Sequence, residues 1–227
     1  MSVITLRQIA AASALMTVVG AAQALTLNTS ALNANSTQAF SEDAVGAFEA
    51  YATTVEAAGT TTDAGNHTFV LPVTKVVIGS SLKPTSGDAS GAALKFSRTN
   101  ATTGVTRSVY LANFRIDYTA GKVLADRSML DATGAAVTEN IEIYTFGTQT
   151  PLALKYKFPL SISLNEVLGP LTLSSAAIES FITGLKLPTP NVVRFTLPGL
   201  DFGTLHQVIE VSFRKKAVSD KPFVAPL

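Results

Sequence analysis

Between residues 152 and 164 every second side chain is large and apolar. Leu152, Leu154, Tyr156, Phe158, Leu160, Ile162 and Leu164 alternate with Ala153, Lys155, Lys157, Pro159, Ser161 and Ser163. A helix would scatter these seven around its circumference, whereas an extended chain puts them all on one face. Pro159 has no N–H for a ladder, so this strand is expected at an edge or a bulge. The period of two recurs along the chain. Ser108–Tyr118 sets Tyr110, Ala112, Phe114, Ile116 and Tyr118 against Asn113, Arg115 and Asp117, and Thr119-Ala120-Gly121 turns it into Lys122–Asp126 as a hairpin. Strands are also expected at His67–Gly79 (bent at Pro72), Ala93–Arg98, Thr138–Phe146, Val192–Leu197 and Leu205–Arg214.

Two segments break this period. Ser41 can cap a helix whose first turn carries Glu42 and Asp43, whose stripe is Val45, Phe48, Ala52 and Val55, and which Gly59 ends. Ser175 can cap a second, with Ile178, Phe181, Ile182 and Leu185 on one face and Pro188 beyond it. About eight strands joined mostly by turns, with two short helices, predict an antiparallel β-sandwich or barrel.

The first 24 residues, MSVITLRQIAAASALMTVVGAAQA, place Arg7 before an apolar run and end in Ala22-Gln23-Ala24. That is the three-part form of a secretory signal peptide, and its apolar run is too short for a membrane span. The expected product is one secreted β-rich domain, residues 25–227, periplasmic or extracellular and with no transmembrane anchor. Its 203 residues carry 16 bases and 16 acids. A neutral chain lacks the basic face that phosphate neutralisation requires, which argues against nucleic acid as a partner. The absence of Cys removes disulfides, thiol nucleophiles and cysteine-based metal or iron–sulfur sites.

Catalytic patterns are sparse. His67 and His206 are 139 positions apart, and no G-x-S-x-G elbow accompanies them. Ser80-x-x-Lys83 has the spacing of a serine–lysine pair, but its setting reads as a strand-to-loop turn. Asp126 and Asp131 flank an expected loop, where solvated acids are commoner than cation ligands. Tyr110, Phe114 and Tyr118 share one face of their strand, ordinarily as core or cross-strand stacking and alternatively as a ligand platform. Tyr51 stands at the margin of the first helix's apolar stripe.

One resemblance emerges from the order of landmarks. Phe48-x-x-Tyr51, Gly59, Phe69-x-x-Pro72, Gly91-x-x-Leu94-x-Phe96, Leu111-x-Asn113-Phe114-Arg115-Ile116-Asp117, Gly121 and Leu124-x-Asp126 together resemble bacterial HtaA-type haem-uptake domains over roughly residues 45–130. The resemblance implies an exported β-rich fold and haem ligation by Tyr51. It also implies a His partner after the strand Ala93–Ser97, where this chain has Arg98-Thr99. Only Tyr51 carries over, and His67 is not equivalent.

Three classes of function follow. The leading one is a secreted, non-catalytic binding or cell-surface structural protein, acting through self-association or a surface partner, with no metal and no certain cofactor. The second is a carrier of haem or another hydrophobic small ligand, using Tyr51 and the face of Tyr110, Phe114 and Tyr118. The third is a hydrolase with carboxylates drawn from distant strands.

Overall fold

The computed structural model describes residues 24–80, 83–131, 133–157 and 161–227. Residues 1–23 of the leader, Pro159 and residues 81–82 of the Ser80–Lys83 string lie outside them. Among the described residues twelve strands form one sheet, and every ladder in it is antiparallel. In chain order they are β1 (Leu25–Asn28), β2 (Leu32–Ala39), β3 (Thr53–Gly59), β4 (Thr62–Gly65), β5 (Thr68–Pro72), β6 (Lys75–Ile78), β7 (Pro84–Thr99), β8 (Thr106–Asp117), β9 (Lys122–Leu130), β10 (Ala136–Lys157), β11 (Ser161–Leu173) and β12 (Thr204–Phe213). Helices α1 (Glu42–Ala50), α2 (Ser175–Gly184) and α3 (Pro190–Thr196) interrupt them, and a 3₁₀ turn, Leu197–Gly199, follows α3. The class is the one expected, mainly β and antiparallel; the strand count is higher.

The sheet curls into a ring because one segment belongs to both of its ends. Neighbours run β6-β7-β8-β9-β10-β11-β12-β2-β5, and β5 continues covalently into β6. The joint is two residues wide. Val73 N–H donates to Ala34 O of β2 (2.8 Å), and Thr74 N–H donates to Asp88 O of β7 (2.8 Å). Pro72 precedes this bend, so the expected long strand His67–Gly79 is two strands with different partners. The bend satisfies its own N–H groups on both sides of the ring, while β1, β3 and β4 remain as short edges.

Other expectations are corrected. The alternating stretch 152–164 is not one strand: the chain reverses between Lys157 and Ser161, so its first half ends β10 and its second begins β11. The register pairs Leu154 with Leu164 and Tyr156 with Ile162. Even-numbered positions oppose even-numbered positions, so the alternation runs through the reversal unchanged.

Val192–Leu197 is helical, not extended. Pro190 starts α3 at a position where its missing N–H costs nothing, and Val193 and Leu197, four apart, are both buried while Phe195 is 87% exposed. Burial at helical spacing overrides the β preference of Val192 and Val193.

Helix α1 begins as expected, with Ser41 Oγ accepting from Ala44 N–H (3.1 Å), but ends at Ala50 rather than near Gly59. Ala52 adopts φ 50°, and the β-branched run Thr53-Thr54-Val55 pairs with β7 as β3. The cap of α2 is Ser174, one residue earlier than expected.

Both helices press on the inner face of the ring at one end. Phe40, Phe48, Phe69, Phe96, Phe181 and Phe202 form the heart of the core. Phe96 meets Phe181 of α2 at 4.9 Å between ring centroids and Phe48 of α1 at 5.9 Å. Each such ring stabilises the fold by roughly 2–3 kcal/mol relative to exposure. Gly184 lets α2 approach closely: a Cβ there would run into Val109 Cγ2 and lie 2.8 Å from Met129 Sδ.

Candidate functional site around Tyr51

Tyr51 is the C-cap of α1, its N–H donating to Ala47 O (3.1 Å). Its half-buried ring borders an apolar pocket of about 20 Å³ with Phe48, Phe96, Phe181, Leu187 and Phe202. Among the described residues its hydroxyl has no hydrogen-bond partner. Leu185, Leu187 and Leu197, on the segment from the end of α2 to the 3₁₀ turn, cover the pocket.

Arg98 takes the position where the resemblance implies a His, and its work here is structural. Nε–H donates to Tyr51 O (3.1 Å), and Nη1 donates to Lys186 O (3.0 Å) and Leu185 O (3.5 Å). One guanidinium therefore satisfies carbonyls at the C-termini of both α1 and α2, where a positive charge is also favoured by the helix dipoles. A pocket of 20 Å³ does not admit a porphyrin, and Arg98 offers no axial ligand, so the residues present do not fit haem as they are packed.

The three aromatics expected on one strand face are not together. Asn113, at φ 53°, puts a bulge in β8: Ala112 opposes Asp126, whereas Arg115 opposes Leu124. The extra residue reverses the facing of everything beyond it. Phe114 points inward, where it lines a cavity of about 30 Å³ with Leu71, Gln38 and Gln207. Tyr118 reaches the same cavity and packs edge-on against Phe146 at 6.3 Å. Tyr110 points outward and is covered by the C-terminal tail, its ring 6.0 Å from that of Phe223.

Tyr118 stands beside Glu166, a residue the sequence reading missed. Glu166 continues the even-numbered apolar register of Leu164 and Leu168, and that acid in a core register was the available signal. It is only 5% exposed, and its Oε2 has no partner among the described residues. Burial pushes the Glu166 carboxyl above the usual carboxylate range, and a hydrogen bond with Tyr118 partly offsets the shift. Burial, and then the neighbouring carboxylate, push the Tyr118 phenol well above its ordinary value.

The remaining candidates are placed separately. His67 and His206 are both exposed. Gly79 N–H donates to Lys83 O (2.8 Å) between β6 and β7, and residues 81–82 of the Ser80–Lys83 string lie outside the described residues. Asp126 lies in β9, not beside a loop. Its oxygens accept from Asn113 Nδ2 (2.8 Å) and Asn140 Nδ2 (2.9 Å), while Asp131 Oδ1 serves Thr133 and Ala135 in its own turn. Among the described residues no group of three or more His, Asp or Glu side chains could hold a metal ion.

Several landmarks of the resemblance do converge, in the scaffold. Thr60 N–H, just after Gly59, donates to Gly91 O (2.9 Å); Gly91 N–H donates to Asn113 Oδ1 (3.0 Å); Asn113 in turn donates to Asp126. These residues build matching bulges in β7 and β8, where Ala89 opposes Phe114 and Ala93 opposes Ala112.

No helix among the described residues is long and apolar enough to cross a membrane, which leaves strand-based crossing untouched. No protein-family model and no curated protein matches the chain. Its fold is similar to the crystal structure of the C-terminal domain of HtaA from Corynebacterium glutamicum, with TM-score 0.50 and 14% identity, over 79% of this chain and 98% of that one. The chain thus resembles an HtaA domain in its architecture, a mainly antiparallel β fold closed at one end by short helices.

Proposed function

We propose that this chain is an exported binding protein that works through a ligand cleft and its surface, without bond-making chemistry, once residues 1–24 are removed. The cleft is the one at Tyr51, which opens to a ligand as the leucine-bearing segment after α2 moves aside, because the packed pocket of about 20 Å³ holds little more than a water. Its ligand class is a small hydrophobic molecule. The carrying observation is the Tyr51 hydroxyl, without a hydrogen-bond partner among the described residues, at the rim of a pocket walled by Phe48, Phe96, Phe181 and Phe202. A phenol whose oxygen is free and whose ring sits among other rings is suited to hold an apolar ligand with one polar atom. The HtaA-like fold supports an uptake or cell-surface role, and the leader supports a periplasmic or extracellular site of action.

Haem is the second reading, favoured by Tyr51 alone. It requires the leucine-bearing segment after α2 to move further than a smaller apolar ligand does, because a porphyrin is the larger guest. Titration of the leader-free chain with an apolar fluorophore such as anilinonaphthalene sulfonate, and in parallel with hemin, separates the two. Saturable fluorophore binding that Tyr51→Ala weakens supports the cleft; binding untouched by that change overturns it. A Soret shift abolished by Tyr51→Phe moves the assignment to haem, and one indifferent to Tyr51→Phe removes haem from this site.

A further inference from the structure

Arg98 and Arg107 are direct cross-strand partners in the β7–β8 ladder. Like charges placed opposite one another on antiparallel strands repel, and here no carboxylate intervenes. Neither arginine, nor Lys186 beside them, takes part in a salt bridge among the described residues, which hold all 16 acids of the chain. Asp131, just past the end of β9, turns its Oδ1 to Thr133 and Ala135 of its own turn and makes no salt bridge among the described residues.

The three cations share a cavity of about 210 Å³ with Asn100, Thr103 and Leu185. Its free polar groups are donors. Asn100 Oδ1 already accepts from Thr102 N–H (2.9 Å) and Thr103 N–H (3.0 Å), which leaves its amide N–H groups unused. Thr103 Oγ1 accepts from Val105 N–H (3.4 Å), leaving its O–H. Arg98 uses Nε and Nη1 on the carbonyls of Tyr51, Leu185 and Lys186, so its plane is fixed while Nη2 stays available. Arg107 is half-buried, and its guanidinium makes no hydrogen bond among the described residues.

We infer that this cavity binds a small multivalent oxyanion, a carboxylate or phosphate compound, held by Arg98, Arg107 and Lys186. A planar guanidinium pre-set by backbone carbonyls matches such oxygens bidentately, and an anion between the arginines converts their repulsion into two attractions. The site is distinct from the Tyr51 pocket: Arg98 hydrogen-bonds the Tyr51 carbonyl, Tyr51 does not line this cavity, and Leu185 is the residue that borders both.

The test is calorimetric titration of the leader-free chain with citrate and, separately, with inorganic phosphate at low ionic strength. Saturable one-to-one binding of at least one probe is expected, at about millimolar strength or tighter. Arg107→Gln and Lys186→Gln should each weaken it at least about tenfold, the effect of losing one charge-assisted contact, and Lys216→Gln should leave it unchanged. Binding of citrate alone identifies a carboxylate ligand, and of phosphate alone a phosphorylated one. Independently of any variant, bound anion should shift the backbone amide resonances of Asn100, Thr103 and Lys186. Absence of saturable binding by both probes, an equal loss in Lys216→Gln, or shifts confined to other parts of the chain would overturn the assignment.

Discussion

The carboxamide of Asn113 pairs with the backbone of Phe223 as a neighbouring strand would. Phe223 N–H donates to Asn113 Oδ1 (2.8 Å), and Asn113 Nδ2 donates to Phe223 O (3.1 Å). The same side chain serves Gly91 and Asp126, so a single amide joins the β7 bulge, β9 and the C-terminal tail. Asn is suited to this position because it tolerates a positive φ that most side chains avoid.

Replacing that amide should be costly. Asn113→Ala removes four hydrogen bonds and puts an ill-suited residue at φ 53°, with an expected loss of about 2–3 kcal/mol in urea unfolding. The amide proton of Phe223 should exchange faster in the same variant. A loss below about 0.5 kcal/mol, the size of an ordinary surface change, would show that the clamp does not stabilise the fold.

The tail has its own signature. Phe223→Ala uncovers Tyr110, whose ring is now 7% exposed. Tyrosine fluorescence should become more accessible to iodide or acrylamide, with a stability loss of about 1 kcal/mol for the lost ring pair and its buried area. Unchanged quenching would mean that Tyr110 is covered by something other than Phe223.

Arg98 should prove structural. Arg98→His cannot serve the carbonyls of Tyr51, Leu185 and Lys186 at once, so a stability loss of about 2 kcal/mol is expected, with α1 and α2 opening first in hydrogen exchange. Wild-type stability in that variant would refute the helix-tying role.

Glu166 sets a pH dependence. Its folded carboxyl holds a proton to higher pH than the unfolded one, so across the interval between the two values the folded state binds more protons. Stability should therefore fall as pH rises from the ordinary carboxylate range through the raised value, and stay lower beyond it. Glu166→Gln should flatten that slope and stabilise the protein at neutral pH, as followed by melting temperature against pH. A slope unchanged in Glu166→Gln would assign it to other groups.

Much of this architecture is readable from alternation and capping, and the failures have identifiable causes. The strands at Ser108–Tyr118 and Leu205–Arg214 match β8 and β12 to within two residues, because each has a regular period and clear ends. Reversals that preserve parity, as between Lys157 and Ser161, leave no trace in a period-two pattern. Bulges do the opposite. The single extra residue at Asn113 separates Tyr110 from Phe114 although their spacing places them together. The landmarks that resemble HtaA-type domains are mostly bulge and core residues, so they report the shared scaffold better than the ligand. The Arg98–Arg107 pairing requires register, which spacing along the chain does not supply.

Ring closure has a consequence for the order of assembly. Strand β12, residues 204–213, is inserted between β11 and β2, which begins at residue 32. A chain emerging from its N-terminus can form the local hairpins of β7 to β11, but β2 has no neighbour on that side until residues 204–213 are free. Completion is thus deferred until β12 joins a strand that lies more than 160 residues before it. Premature tightening around an unfinished chain is disfavoured by topology alone.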